Sequence, residues 1–313
     1  MRQELQCGLT TASSRPVWEQ TFKTLELDLD RESRSLTYRI KPDPRPSFTP
    51  SVLAELRYLQ RTLRDQLRML DSEGFDSPVR FLLAGSAADE GLLLGGDLQF
   101  FLDAIQAGDR NALYDYARLG IDVLYDNIRN LDNQVTTIAV LTGPTLGAGF
   151  ESALSCDFII AEPSVQMGFP EVLFNMFPGM GAYSLLARRL APGQVERMIS
   201  SGKLYSAAEL HEMGIIDVLA KPGEGWLKAR EFVQRFERRK ITLQAVLRMR
   251  NRVNPIQYDE LRDVMELWVD SAMQLSERDL KAMTWLLRGQ NKRVLEGRPS
   301  AAAAPARAAR EVA

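Results

Sequence analysis

The residues in this sequence best placed to do chemistry are two glycine-bearing turns and two glutamates. The first turn is Leu94-Gly95-Gly96-Asp97-Leu98. The second is Thr145-Leu146-Gly147-Ala148-Gly149-Phe150-Glu151. Each ends a strand and opens a helical pattern. Neither has the GxGxxG spacing of a dinucleotide fold or the GxxxxGK[ST] spacing of a phosphate loop. Both offer bare backbone N–H groups at a helix start, among small residues that let a ligand approach closely. Two such groups aimed at one point make an oxyanion hole for acyl chemistry. One glycine-rich turn alone is simply a tight connection, so the pair carries the reading.

Glu151 falls in the first turn of the second helix, among Leu146, Phe150, Ala153 and Leu154. Glu171 sits in the apolar phrase FPEVLF. Burial raises a carboxyl pKa into a useful range, and a second carboxylate nearby raises it further. For Glu151 the helix N-terminus pulls the other way. Sequence leaves that contest open. The single histidine, His211, lies in a short polar-faced helix and reads as a solvated surface residue. Acid–base work therefore falls to carboxylates. With one histidine and only Cys7 and Cys156, neither a metal centre nor a disulfide framework is expected, and no cofactor is called for.

The elements that must position these groups follow from periodicity. Residues 1–17 are polar and aperiodic, an expected arm. Residues 21–41 alternate twice around DRESRS and predict a β-hairpin. Pro50 opens a helix over 51–70 with leucines at 53, 56, 59, 63, 67 and 70. A strand-helix rhythm follows: strands at 79–85 and 135–143, helices in LQFFLDAIQAG and NALYDYARLGIDVLYDNIRNL, a short helix FESALS, then DFIIAE and VQM. From about 183 to 290 the pattern is helical, with one short strand near Ile216–Leu219. Residues 297–313 are Ala/Pro-rich and expected to be disordered. This predicts an α/β fold with its core in 18–200 and a C-terminal helical region in 201–296.

In 313 residues, 39 Lys and Arg meet 41 Asp and Glu, a formal charge of −2. A phosphate-backbone binder would need a positive excess, so nucleic acid is not an expected partner. No apolar run approaches the roughly 18 residues of a membrane span. The N-terminus lacks a hydrophobic signal core, so a cytoplasmic location is expected.

Together, GGDL at 95–98, GPTLGAGFESALSCDFIIAEPSVQMGFPEVLFNMFPGMGAYSLLARRL at 143–190 and SSGKLYSAAELHEMGIIDVL at 200–219 resemble the crotonase (enoyl-CoA hydratase/isomerase) superfamily. The resemblance covers roughly residues 20–295. It implies a crotonase-like ββα spiral core with C-terminal helices used in trimerisation. It also implies an oxyanion hole from the N–H groups of Gly96 and Ala148, and catalysis by Glu151 and Glu171, twenty positions apart. Within the superfamily, the long segment before and through GGDLQFFLDAIQAGDRNALYDYARLGIDVLYDNI, the phrase MGFPEVLFNMFPGMGAYSLLARRL and the ending MELWVDSAMQLSERDLKAMTWLLRGQNKR look like the bacterial diffusible signal factor synthases of the RpfF type. Those enzymes dehydrate 3-hydroxyacyl thioesters of acyl carrier protein and hydrolyse the thioester. The product is a free cis-2-unsaturated fatty acid used as a quorum-sensing signal. The resemblance further implies a homotrimer or dimer of trimers, and a regulatory sensor-kinase partner.

The loop GSAADEGLLLGGD at 85–97 has no Lys or Arg, whereas coenzyme A users commonly place basic residues near this face. That is compatible with a carrier-protein substrate. Two basic patches could dock an acidic carrier: Arg57, Arg61, Arg64 and Arg68 at 4-3-4 spacing opposite the leucines, and a cluster containing Arg238 and Arg239. A solvated helix face is the plainer reading of each. Met180, Met265, Trp268 and Leu286 are the candidates to line an acyl slot, with core or subunit interface as the plainer reading. The leading expectation is a dehydratase with thioesterase activity, in which Glu151 takes the α-proton and Glu171 protonates the leaving hydroxyl. The reverse assignment is also allowed. The alternatives are an enoyl-CoA hydratase acting on CoA thioesters, and a catalytically silent regulatory scaffold.

Overall fold

The computed structural model of the chain describes residues 15–42, 45–88 and 93–296, with side chains placed through 290. Cys7, most of the expected arm and the residues from 297 onward lie outside this range. Strands β1 (Leu25–Asp30) and β2 (Ser35–Ile40) form the expected antiparallel hairpin, with Leu25 opposite Ile40. Asp30 closes its turn by accepting the Glu32 and Ser33 N–H groups. The packed body already begins inside the expected arm. Val17 and Trp18 are buried, and the Val17 N–H donates to Gln66.

Helix α1 (Pro50–Ser72) starts where the proline predicts, with the Thr49 hydroxyl accepting the Val52 N–H at 3.2 Å. Its six leucines are all buried. Strand β3 (Phe81–Ser86) leads to helices α2 (Leu98–Gln106) and α3 (Arg110–Ile128), capped by Asp97 and Asp109. The helix expected to run on through Leu131 stops at Ile128. Asn130–Asn133 all have positive φ, a left-handed turn tolerated because three of its four residues are Asn or Asp.

After it come strands β4 (Thr136–Leu141) and β5 (Thr145–Leu146), and helix α4 (Ala148–Leu154). Strands β6 (Phe158–Ala161) and β7 (Gln166–Gly168) follow, then a 3-10 turn, Pro170–Phe174. Helices α5 (Ala182–Leu186) and α6 (Pro192–Ser201) precede strand β8 (Leu204–Ser206), helix α7 (Ala207–Glu212) and strand β9 (Val218–Leu219). Four helices complete the described chain: α8 (Gly225–Glu237), α9 (Lys240–Val253), α10 (Tyr258–Ala272) and α11 (Glu277–Glu296).

The main sheet has the order β1-β2-β3-β4-β6-β9 and is parallel apart from the hairpin. Parallel strands covered on both faces carry continuous apolar runs, and β4 is buried at every position. Leu82, Ala139 and Ile159 face the large core that α1 and α3 complete. Phe81, Leu83, Ile138 and Val140 face Val233, Phe236 and Leu247 of α8 and α9. A smaller sheet, β5-β7-β8, stands beside the main one. The expected boundary at 200 does not divide the fold. β8 completes the small sheet, and β9 is the last strand of the large one, so residues 201–219 belong to the core.

Candidate active site

The small sheet brings the two glycine turns together. The Leu93 N–H donates to Pro144 O, and the Leu146 N–H donates back to Leu93 O. Strand β5 thereby lies along the chain entering the first turn. A Cβ on Gly95 would stand 2.7 Å from Leu146 O and 3.2 Å from Ala148 N, so the two backbones touch and only glycine fits. Ala148 is the first residue of α4, where an N–H has no acceptor within its own helix. Gly96 and Ala148 both line one cavity of about 180 Å3.

Both glutamates line the same cavity. Glu151 is buried, and its Oε1 accepts the N–H groups of Met180 at 2.8 Å and Ala182 at 3.0 Å. Burial pushes its pKa up to about 7, and the N–H groups of Ala182, Met180 and Gly181 hold it from rising further. Burial therefore prevails over the anion-stabilising backbone. The N–H groups that matter come from the turn opening α5, not from Glu151's own helix.

Glu171 rides on the 3-10 turn and keeps part of its surface accessible. Its Oε2 is shut from solvent and has no hydrogen-bond partner among the described residues. Burial raises its pKa to about 8, with the negative neighbour Glu151 adding to the rise. Gly147, at φ +52, makes room for it, since a Cβ there would lie 2.4 Å from Glu171 Oε1. The cavity thus holds two carboxyls whose pKa values burial raises toward neutrality, only Glu151 being gripped by backbone N–H groups, beside the Gly96 and Ala148 backbones. Such an arrangement has the parts that a base, an acid and an oxyanion hole require.

The rest of the cavity is mostly apolar. Met180, Trp268 and Leu286 line it as expected. The Met180 sulfur fills the notch at Gly120, where a Cβ would come within 2.6 Å of it, and the Trp268 side chain packs against Gly179. Met265 does not line the cavity. One turn before Trp268 on α10, it points into the core and is 1% exposed. Phe101, Tyr116, Ala117 and Trp285 are lining residues that periodicity did not single out. The usable signal for them was Ala117 and Gly120 on the buried face of α3, small residues where a partner comes close.

The Arg stripe on α1 is not a free cationic face. Arg57 pairs with Asp126 and Asp122, Arg64 with Asp126 and Asp132, and Arg68 with Asp132. Only Arg61 of the four faces solvent without an ion pair among the described residues. Sequence spacing placed these arginines on one face but could not place the aspartates of α3 and the following turn against it. Arg238 and Arg239 are exposed. They follow α8, behind the sheet face turned away from the cavity. His211 is exposed on α7, its Nδ1 2.8 Å from Ile216 O. Among the described residues no His, Cys, Asp and Glu cluster could hold a metal ion, and no helix is long and apolar enough to cross a membrane.

Residues 90–274 match the sequence profile of enoyl-CoA hydratase/isomerase. The chain belongs to this family. Over 166 residues it is 26% identical to the fatty acid oxidation complex subunit alpha of Pseudomonas paraeruginosa, a match covering 53% of this chain and 22% of that one. It is 30% identical over 132 residues to the peroxisomal fatty acid beta-oxidation multifunctional protein AIM1 of Arabidopsis thaliana, covering 42% and 17%. The chain thus spans about a fifth of the length of these curated relatives. Solved structures share the crotonase fold at low identity. The enoyl-CoA hydratase from Bacillus halodurans superposes with TM-score 0.68 at 14% identity, covering 84% of this chain and all of that one. Pseudomonas aeruginosa DspI superposes with TM-score 0.58 at 22% identity, covering 91% and 98%. The matched residues 90–274 include both glutamates and both glycine turns.

Proposed function

We propose that this family member dehydrates a 3-hydroxyacyl thioester and then hydrolyses the enoyl thioester, releasing a cis-2-unsaturated fatty acid of the diffusible-signal type. The observation that carries the reading is the geometry of the carboxyl pair: Glu151, gripped by two backbone N–H groups, and Glu171, whose Oε2 has no partner among the described residues, line one cavity with Gly96 and Ala148. The thioester oxygen takes those two N–H groups, which stabilise the enolate. Glu151, whose carboxylate the Met180 and Ala182 N–H groups stabilise, takes the α-proton. Glu171, still protonated, delivers its proton as the C3–O bond breaks, and water leaves.

This step leaves Glu151 protonated and Glu171 ionised. Hydrolysis needs the reverse pair. Glu171 takes a proton from a water that adds to the carbonyl, and the same two N–H groups hold the tetrahedral oxyanion. Its collapse breaks the C–S bond, and Glu151 gives its proton to the departing thiolate. Both carboxyls return to their starting states. One turnover thus uses each glutamate once as acid and once as base, and no outside proton is required.

A carrier-protein substrate is favoured by the absence of Lys and Arg from 85–97, of which 89–92 lie outside the described residues. Of the docking candidates, Arg61, Arg238 and Arg239 are exposed without an ion pair among the described residues, which leaves them for an acidic carrier to meet. The second reading, an enoyl-CoA hydratase acting on CoA thioesters, rests on the family profile itself. Purified protein incubated with 3-hydroxyacyl carrier protein, and separately with the CoA ester, decides between them by mass spectrometry. Free 2-enoic acid from the carrier substrate is the expected result. Accumulation of an intact enoyl-CoA thioester with no free acid from either substrate would establish the hydratase instead.

A further inference from the structure

An oxyanion hole works only if its donors are aimed before the charge develops, and the Gly96 donor sits in no regular element. What holds it is legible in three hydrogen bonds. Gly95 O accepts the Phe48 N–H at 2.8 Å. In a trans peptide the C=O and N–H of one unit point opposite ways, so tying Gly95 O to Phe48 turns the Gly96 N–H away from it. Phe48 in turn is held by Tyr116 of α3, whose hydroxyl donates to Phe48 O at 2.5 Å and accepts the Asp97 N–H at 3.3 Å. The single phenol therefore bridges the strap that orients the peptide and the residue directly after the donor.

Two further contacts brace the same turn. Arg45 Nη2 lies 2.6 Å from Asp97 Oδ1, and the Phe101 ring closes on Gly96, where a Cβ would meet it at 2.8 Å. Phe101 packs edge-on against Tyr116 at a centroid distance of 5.1 Å.

We propose that Tyr116 is a positioning residue for the oxyanion hole: its hydroxyl sets the aim of the Gly96 N–H by clamping Phe48 to Asp97. The inference rests on the reading of this site as a thioester-processing one. Tyr116 lines the cavity, yet its proton is committed to Phe48 O, so it has none to give the substrate. Burial pushes its pKa up, which keeps the phenol neutral throughout the working range. Its influence is on how well the carbonyl is polarised, and so on both half-reactions equally.

The test is Tyr116→Phe, which keeps the ring and its packing and deletes only the clamp. Misplacing one donor of an oxyanion hole lowers kcat by about ten- to a hundredfold. The expected result is such a loss for dehydration and hydrolysis alike, with KM within about threefold and the pH profile unmoved. The direct readout is spectroscopic. A cinnamoyl pantetheine thioester bound to the wild-type protein should show a red-shifted absorbance from carbonyl polarisation, and the variant should bind it with much of that shift lost. Arg45→Gln, which cuts the second brace from a site that is only partly buried, should lose a smaller part of both.

Full retention of the shift with kcat within twofold in both variants overturns the clamp alone. Movement of a pH limb in Tyr116→Phe also overturns it, by showing a proton-transfer role. Absence of any shift in the wild-type protein would remove the oxyanion hole, and the proposed function with it. If Tyr116→Phe does not fold, the shift and kcat of Arg45→Gln decide, and wild-type values there overturn the proposal.

Discussion

Replacing Glu171 by glutamine keeps the shape of the side chain and removes the proton that the departing hydroxyl needs. The pKa values of the pair, about 7 for Glu151 and about 8 for Glu171, fix how the site is protonated. Both lie well above the ordinary carboxyl range, and the backbone N–H groups that grip Glu151 favour the state in which Glu151 is the ionised partner and Glu171 the protonated one. The rate should trace a bell centred near pH 7.5 and fall about twentyfold by pH 5.5 and by pH 9.5, with the two limbs belonging to the pair as macroscopic values.

Initial rates on a 3-hydroxyacyl pantetheine thioester across this range are the assay. Glu171→Gln should lower kcat by about 10²–10⁴. The residual rate should keep the rise near pH 7 and lose the fall above pH 8. Stability supplies the fold control, and its sign is set by the raised pKa. Protonated Glu171 is tolerated in the folded state, so its contribution is full below the unfolded value near 4.5 and is lost as pH rises through about 8. The variant has no charge to bury. Its melting temperature should exceed that of the wild type above pH 8 and converge with it toward pH 5. Residual activity above about a tenth of wild type in a folded variant would refute Glu171 as the acid. Loss of the low-pH limb instead of the high-pH limb would reverse the two roles.

Gly147→Ala places a Cβ against Glu171 Oε1 at a positive φ, so activity should fall at least a hundredfold while circular dichroism stays native. Arg57→Ala leaves the buried Asp126 with only its longer contact to Arg64, and should cost about 1–3 kcal/mol in denaturant unfolding. Unchanged stability there would show that the pair is idle. Arg238→Glu with Arg239→Glu should raise KM for a carrier-bound substrate, most at low salt, and leave a pantetheine thioester untouched. Equal KM for the carrier substrate would remove these arginines from docking. His211→Ala should leave kcat/KM within about twofold, and a larger loss would mean that acid–base work is not confined to the carboxylates.

The order of elements around the site was legible in the chain because each signal is local. Alternation marked the hairpin, Pro50 and the leucine period marked α1, and glycines ending apolar runs marked the two turns. The same locality limited the reading of α1, where spacing could show a stripe of arginines but not Asp122, Asp126 and Asp132 lying across it. It also hid β8, a three-residue strand whose only warrant is its pairing with β7. Residue type and family resemblance named Glu151, Glu171, Gly96 and Ala148. Only tertiary structure could bring them to one cavity and make the two carboxyls unequal. That inequality comes from atoms distant in the chain: N–H groups at 180–182 grip Glu151, and no described group bonds Glu171 Oε2. A pKa is set by what surrounds a group in space, and a sequence specifies those surroundings only once it has folded.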